Sequence, residues 1–402
     1  MTDTPTEYDL IVIGAGPAGS AAAYFASRAG LKVLFIDQRN FPRHKICSGG
    51  LSPKSLVVLE MMGILEQIKR SDHPMIRKLR LGSPNGTVLE DDLPITSISH
   101  GYGYVVPRFY LDDMLRIKAV RQGATFRRAR VNGLLWSNGN AEGIIADGCE
   151  IRSHAIIVAG GARPIPTLDS RRMWESDVPT FHVIQTHYED PSQANSTAIE
   201  IYFEKSLVPG YFWIFPEGRG RLTVGAGVWG NSGGARDLQE RYENGIRYVK
   251  EVCQRVIPAS DTLKFERWII PAHRQVNETA APNVLLAGDA GGFANPFTGE
   301  GIYYALETGR LASEAVAADL KQTNGTHSLA ETYAKLLTEL VEELKISWSL
   351  HDLMSDAKRV DVLISDASQD KALRKIMVGA VINALDKSVL TNWLVEDKIK
   401  HA

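Results

Sequence analysis

Three glycines between two short apolar runs constrain this chain more than any other feature. Tyr8 to Ile13 (YDLIVI) is apolar and rich in β-branched residues, which reads as a buried strand. Gly14, Gly16 and Gly19 follow at G-x-G-x-x-G spacing. Ser20 to Arg28 is Ala-rich and suits a helix, which Gly30 ends. Lys32 to Ile36 (KVLFI) is a second apolar run, and Asp37 stands at its tip. Strand, helix and strand within about thirty residues predict two parallel strands joined by a helical crossover. In that setting Gly14 permits the tight turn, Gly16 lets the backbone approach a pyrophosphate, and Gly19 allows close helix–strand packing. The helix start offers N–H groups and the positive end of its dipole to phosphates. Asp37, 23 residues after Gly14, is placed to accept ribose hydroxyls. The unit reads as a dinucleotide site.

The middle of the chain has a different texture. Leu79 to Ile98 and Phe181 to Trp229 alternate short apolar runs with turn residues, which predicts an antiparallel sheet. Between them Leu111 to Ala119 suits a helix, and Ile151 to Ala159 ends in another apolar strand. Near Asn283 a strand returns (VLLAGDAGG), and a helix-compatible stretch runs from Glu300 to about Leu320. After the polar Lys321 to Thr326 patch, Tyr333, Leu336, Leu337, Leu340, Val341 and Leu344 repeat at helical spacing. So do Leu373, Ile376, Met377, Ala380, Val381, Ala384 and Leu385. Those faces either pack on the body or meet a membrane surface; their polar sides are mixed in charge rather than basic.

The Leu285–Gly301 segment is a second strand–turn–helix unit, with Gly288 and Asp289 at the turn and Gly299 and Gly301 before the helix. Asp289 can hold a polyol chain through its ionised carboxylate. Two such units more than 250 residues apart suit an extended ligand such as FAD better than NAD. A purely structural turn remains the alternative for the second.

Composition narrows the rest. With 45 Lys+Arg against 47 Asp+Glu, nothing recommends a nucleic-acid partner. The three cysteines, Cys47, Cys149 and Cys253, form no C-x-x-C pair, and the polar start of the chain is no secretory signal. Both point to a cytoplasmic protein. No run of about 18 apolar residues is present to span a bilayer. Cys47 follows Arg43, His44 and Lys45, neighbours that favour a thiolate; a small buried apolar role is the alternative, and it is the reading for Cys149 and Cys253. Arg121, Arg127, Arg128 and Arg130 read as a solvated face. No metal site is expected, since His187, His273 and His351 lack ligand spacing. Tyr211, Trp213 and Phe215 alternate, so they share one face of a strand, either as a core layer or as a greasy pocket wall.

Gly14 to Gly19, Arg108 in VVPRFYLDDML and Gly288-Asp289 resemble the FAD-binding set of the p-hydroxybenzoate-hydroxylase-like flavoproteins. Within them, Phe41 to Gly50 (FPRHKICSGG) and Pro209 to Pro216 (PGYFWIFP) resemble the PxxKxCxGG segment and YxWxFP signature of the geranylgeranyl reductase family. The resemblance covers roughly residues 7 to 320. It implies an α/β fold (α+β mixed), with a Rossmann-like FAD-binding domain formed by residues 1–78, 101–165 and 276–325. An antiparallel substrate domain (79–100 and 166–275) is inserted in it, and a helical region (326–402) follows. It implies FAD contacts from Gly14, Gly16, Ala18, Gly19, Asp37, Gln38, Arg39, Lys45, Cys47, Gly49, Gly50, Arg108, Gly288, Asp289, Gly299 and Gly301. Cys47 would lie beside the flavin ring. Tyr211, Trp213, Phe215 and Pro216 would line a cavity for a hydrophobic small-molecule or lipid substrate, with Cys47, Tyr211 and Trp213 as the catalytic set.

The implied reaction is reduction of C=C bonds of an isoprenoid chain by hydride from reduced flavin, with Cys47 as the acid or its relay. YFWIFP also resembles the WxWxIP signature of flavin halogenases, so oxidation or halogenation of an aromatic group is the alternative; a redox-silent flavoprotein is the third. Relatives carry an acid where this chain has Gly160, which leaves the electron donor open among NADPH, a ferredoxin and a quinol. A long, narrow apolar tunnel would favour prenyl chains. A short flat box with a Lys or Glu at its end would favour aromatic oxidation.

Overall fold

The computed structural model describes residues 7–137, 139–162, 179–230, 237–258, 263–276, 279–321 and 328–393. Arg163-Pro164, most of the polar 321–326 patch and the start of the chain lie outside them.

The first strand, Glu7–Ile13, pairs in parallel with Val33–Asp37 on one side and Cys149–Val158 on the other. Val33–Asp37 pairs in turn with Thr125–Arg128, and the far end of Cys149–Val158 pairs in parallel with Val284–Leu286. The strands before Gly14, Asp37, Ala159 and Gly288 therefore all run the same way in one sheet. Their connecting turns open on a single edge, where α/β sheets bind ligands. An antiparallel hairpin, Val131–Ser137 and Asn140–Ala146, extends the sheet.

Two helices cover one face of this sheet. Pro17–Arg28 is almost wholly buried, and Ile302–Asp319 crosses it at backbone distance. A Cβ on Gly309 would stand 2.2 Å from the Ala18 carbonyl oxygen, so only glycine lets the helices touch there.

A second sheet has the order Glu266–Pro271, Thr180–Glu189, Arg221–Gly230, Tyr211–Gly218, Ala198–Tyr202, Lys78–Gly82, Val88–Asp92. All its pairings are antiparallel but one. Ala198–Tyr202 lies parallel to Lys78–Gly82, which corrects the uniformly antiparallel expectation. These two strands come from separate stretches of chain, so no tight turn dictates their direction. One face of the sheet packs under the Leu238–Glu251 helix, where Tyr242 and Val249 meet Phe212, Ile214, Val224 and Ala226.

The carboxy-terminal helices Thr338–Leu353, Ala357–Gln369 and Lys371–Val381 bury Leu350, Leu363, Ile364, Leu373 and Met377 against Leu79, Leu81, Leu89 and Phe203. Their apolar faces are packed on the body. Among the described residues no helix is long and apolar enough to cross a membrane.

The helices and the segment after them also deliver charge to the interior. Lys387 is fully buried; its Nζ lies 2.8 Å from Glu343 Oε1 and 2.7 Å from Asn383 Oδ1. Lys54 reaches the other Glu343 oxygen at 2.5 Å. Tyr304 donates to Glu343, and Asn295 donates to Tyr304 and to Ser347. Asn295 Oδ1 in turn accepts the N–H groups of Phe297 and Thr298, so the network fixes the turn before Gly299. Burial pushes the Glu343 carboxyl up, but Lys387 and Lys54 outweigh it and hold the group down at about 2.

Truncating Lys387 to Ala should therefore destabilise the protein by about 3 kcal/mol, because it breaks a buried pair. Urea unfolding measures this. A depressed carboxyl stabilises the fold above its ordinary value of 4.5 and stops doing so as pH falls to about 2. The gap between wild type and Glu343→Gln should close over that interval.

Candidate active site

The edge shared by the parallel strands opens into a cavity of about 1140 Å³ that continues across the bare face of the second sheet. Gly14, Gly16, Ala18, Asp37, Gln38, Arg39, Lys45, Cys47, Arg108, Gly288, Asp289, Gly299 and Gly301 line it, with Tyr211, Trp213 and Phe215 on the opposite wall.

Four expected residues do not. Gly19 serves packing alone: a Cβ there would sit 1.8 Å from the Gly14 carbonyl oxygen. Gly49 adopts φ +76° and abuts the Val106 carbonyl, and Gly50 faces the Phe215 ring. Both shape the segment after Cys47 without reaching the cavity. Pro216 has the opposite strand parity from Phe215 and is buried off the cavity wall.

The glycine turn is flanked by cations. Arg108 makes a bidentate pair with buried Asp112, at 2.5 and 2.8 Å, and Arg43 reaches the same carboxylate at 3.0 Å. A Cβ built on Gly16 would point at both guanidinium groups, 3.5 Å from Arg43 Nη2 and 3.8 Å from Arg108 Nη2. No side chain of the described residues caps the helix that starts there. An uncapped helix start facing two fixed guanidinium groups is a donor set for a pyrophosphate. Asp37 accepts the N–H groups of Ala15 at 3.1 Å and Arg39 at 2.9 Å, and still faces the cavity with lone pairs to spare. A Cβ built on Gly288 would stand 3.2 Å from the Ala18 and Ala305 methyls, so the two glycine turns adjoin. One extended dinucleotide fits this groove.

A family model described as an FAD binding domain matches residues 7–344. The chain belongs to that family. FAD is its cofactor, and the groove just described fits it. The chain is 34% identical over 325 residues to the menaquinone reductase of Mycobacterium tuberculosis, covering 76% of each. It is 29% identical over 405 residues to digeranylgeranylglycerophospholipid reductase 2 of Methanopyrus kandleri, covering 96% of each. A geranylgeranyl bacteriochlorophyll reductase-like protein of Thermoplasma acidophilum superposes with a TM-score of 0.76 at 20% identity, over 96% of this chain and 99% of that one. The resemblance to geranylgeranyl reductases and the mixed α/β FAD-binding fold are both borne out.

Around Cys47, the three basic neighbours have partners of their own. Arg43 pairs with Asp112, His44 packs at a tilt against Phe109 with ring centroids 5.0 Å apart, and the Lys45 Nζ lies 4.9 Å over the Trp268 ring. Burial, then the charge of Arg108, pulls Lys45 below the usual lysine range. The Gly49 N–H donates to Cys47 Sγ at 3.4 Å. Tyr211 donates to the Thr298 carbonyl at 2.5 Å, and burial raises its hydroxyl well above the ordinary tyrosine value. Glu300, beside Gly299, is raised by burial and bonded to Ser52 and Asn383.

Several cavity residues were not legible beforehand. Phe181, Val183, Gln185, Glu266, Trp268 and Ile270 line it, from two strands whose partnership no local pattern announces. Arg130 also lines it at the solvent side, exposed as its reading on a solvated face expects. Cys149 is exposed at a hairpin turn rather than buried. Among the described residues no group of three or more His, Cys, Asp or Glu could hold a metal.

Arg108→Lys keeps the charge but loses the bidentate geometry. It should weaken FAD binding by about tenfold, read as flavin retained after dialysis.

Proposed function

We propose that this FAD-dependent oxidoreductase saturates C=C bonds of an isoprenoid chain. The observation that carries the reading is the aromatic wall continuous with the FAD groove: Phe181, Tyr211, Trp213, Phe215 and Trp268 on one sheet face. Two curated relatives are named as reductases of menaquinone and of digeranylgeranylglycerophospholipid. Those lipids share an unsaturated isoprenoid chain, and an aromatic wall is the surface such a chain buries against.

FAD, when bound and reduced, supplies a hydride. The chain's own residues must align the alkene, exclude water and deliver a proton to the second carbon. The wall supplies alignment and dryness. Gly225 and Gly227, on the strand between, leave room for it: Cβ atoms there would stand 2.2 Å from the Trp213 and Phe181 rings. For the proton we assign Cys47, whose sulfur lines the cavity. Tyr211 keeps its own proton, because burial raises its hydroxyl and that O–H donates a hydrogen bond to the Thr298 carbonyl. In this reading Tyr211 and Trp213 hold substrate rather than exchange protons with it.

One observation favours a second reading. Lys45 and Glu266 both line the cavity, and a box with such groups also suits an aromatic substrate that is oxidised or halogenated. Bromide or oxygen consumption with an indole or phenol would support that reading.

The reductase reading is tested anaerobically, with dithionite-reduced protein and a geranylgeranyl lipid or a prenylated quinone. Products should gain two hydrogens per saturated bond by mass spectrometry. Cys47→Ala should retain FAD and slow product formation by about a hundredfold. No mass gain on any prenyl substrate would eliminate the proposal.

A further inference from the structure

We propose that the Gln185–Glu266 end of the cavity recognises a hydroxyl group on the head of the prenyl substrate and turns away a phosphorylated head. The inference rests on the isoprenoid reading above.

Two antiparallel strands build this wall in register. Phe181 lies opposite Ile270, Val183 opposite Trp268, and Gln185 opposite Glu266. All six line the cavity. The wall thus passes from apolar to polar within four residues, about 13 Å of strand. The apolar end meets the second glycine turn, since a Cβ on Gly299 would touch Tyr211 and Phe181, at 2.9 and 3.2 Å. Gln185 is 2% exposed, in a row where the next inward-facing position on its strand is a valine. Packing alone does not call for an amide there.

Gln185 Nε2 donates to Glu266 Oε2 at 3.1 Å. With one of its two N–H groups engaged, the Gln185 amide keeps a second N–H and its carbonyl, while Glu266 adds a carboxylate, which only accepts. The nearby ionisable groups do not reverse this. His187 Nε2 is 3.9 Å from Glu266, but its Nδ1 is 3.2 Å from Glu217, which also pairs with Arg221 at 3.0 Å. Lys45 lies one row further in, over Trp268. The Glu266 carboxylate, at the end of an otherwise apolar wall, calls for a donor, so the fitting head is an alcohol, phenol or hydroquinone. A phosphate would bring negative charge directly against the half-exposed Glu266 carboxylate, a like-charge contact that solvent weakens but does not abolish.

The test uses oxidised holoenzyme and three ligands with the same polyprenyl chain: a phenol, its methyl ether and a diphosphate. Binding is read by perturbation of the flavin absorbance. The phenol should bind about tenfold more tightly than the ether, the scale of a hydrogen bond to a charged acceptor, with the diphosphate weakest. Glu266→Gln should bring phenol and ether to near equality and strengthen diphosphate binding. Gln185→Leu should also erase the preference for the phenol. Flavin content and melting temperature of both variants check that the fold is kept. Equal binding of phenol and ether to wild type, or tightest binding of the diphosphate, overturns the inference and leaves the isoprenoid reading standing. If none of the three chains binds, both fall.

Discussion

Everything in this molecule depends on two helices being allowed to touch backbone to backbone. Gly309 of the Ile302–Asp319 helix sits against the Ala18 carbonyl, and Gly288 sits against the Ala18 and Ala305 methyls. Side chains there would push the helices apart and separate the glycine turn at Gly14 from the turn at Asp289. Because they are absent, two chain segments more than 250 residues apart form one groove on one sheet edge. The cations over Gly16 work only in that geometry, since Arg43 and Arg108 are anchored to a single buried carboxylate, Asp112.

The substrate wall obeys a second constraint, strand parity. On Tyr211–Gly218, odd-numbered rings face the cavity, while Phe212 and Ile214 face the Leu238–Glu251 helix. The neighbouring strand alternates glycine with Val224, Ala226 and Val228, so it gives volume to one face and packing to the other. The carboxy-terminal helices then hold the cofactor end from behind, through Lys387, Glu343, Tyr304 and Asn295. A brace made of charges is costly to bury and strongly destabilising to break, which ties the tail of the fold to the turn before Gly299.

The parallel half of the fold was legible in the chain because its signals are local. Gly14 to Asp37 carries strand, turn, helix and acid in a single short stretch, and each glycine has one physical reason to be there. The aromatic triad was legible as a face but not as a wall, because alternation says which residues share a side and not what covers it. Gln185, Glu266 and Trp268 were not legible at all. Their place depends on the pairing of Thr180–Glu189 with Glu266–Pro271, a long-range choice that leaves no mark at either strand. Lys387 was hidden for a related reason: a lysine in an amphipathic stretch reads as solvated until its buried partners are known. Pro216 failed because it was carried along with a motif, although its parity is opposite to that of the rings.

The parallel joint between Lys78–Gly82 and Ala198–Tyr202 bears on how the protein is made. These strands lie about 120 residues apart in the chain, and joining them closes a long loop before any contact rewards it. The outer pair, Lys78–Gly82 with Val88–Asp92, can form early as a hairpin, but it has no sheet to join until the central strands have been synthesised. Until then its edge is open to pairing with other chains, so the window for misassembly closes only when this joint is formed.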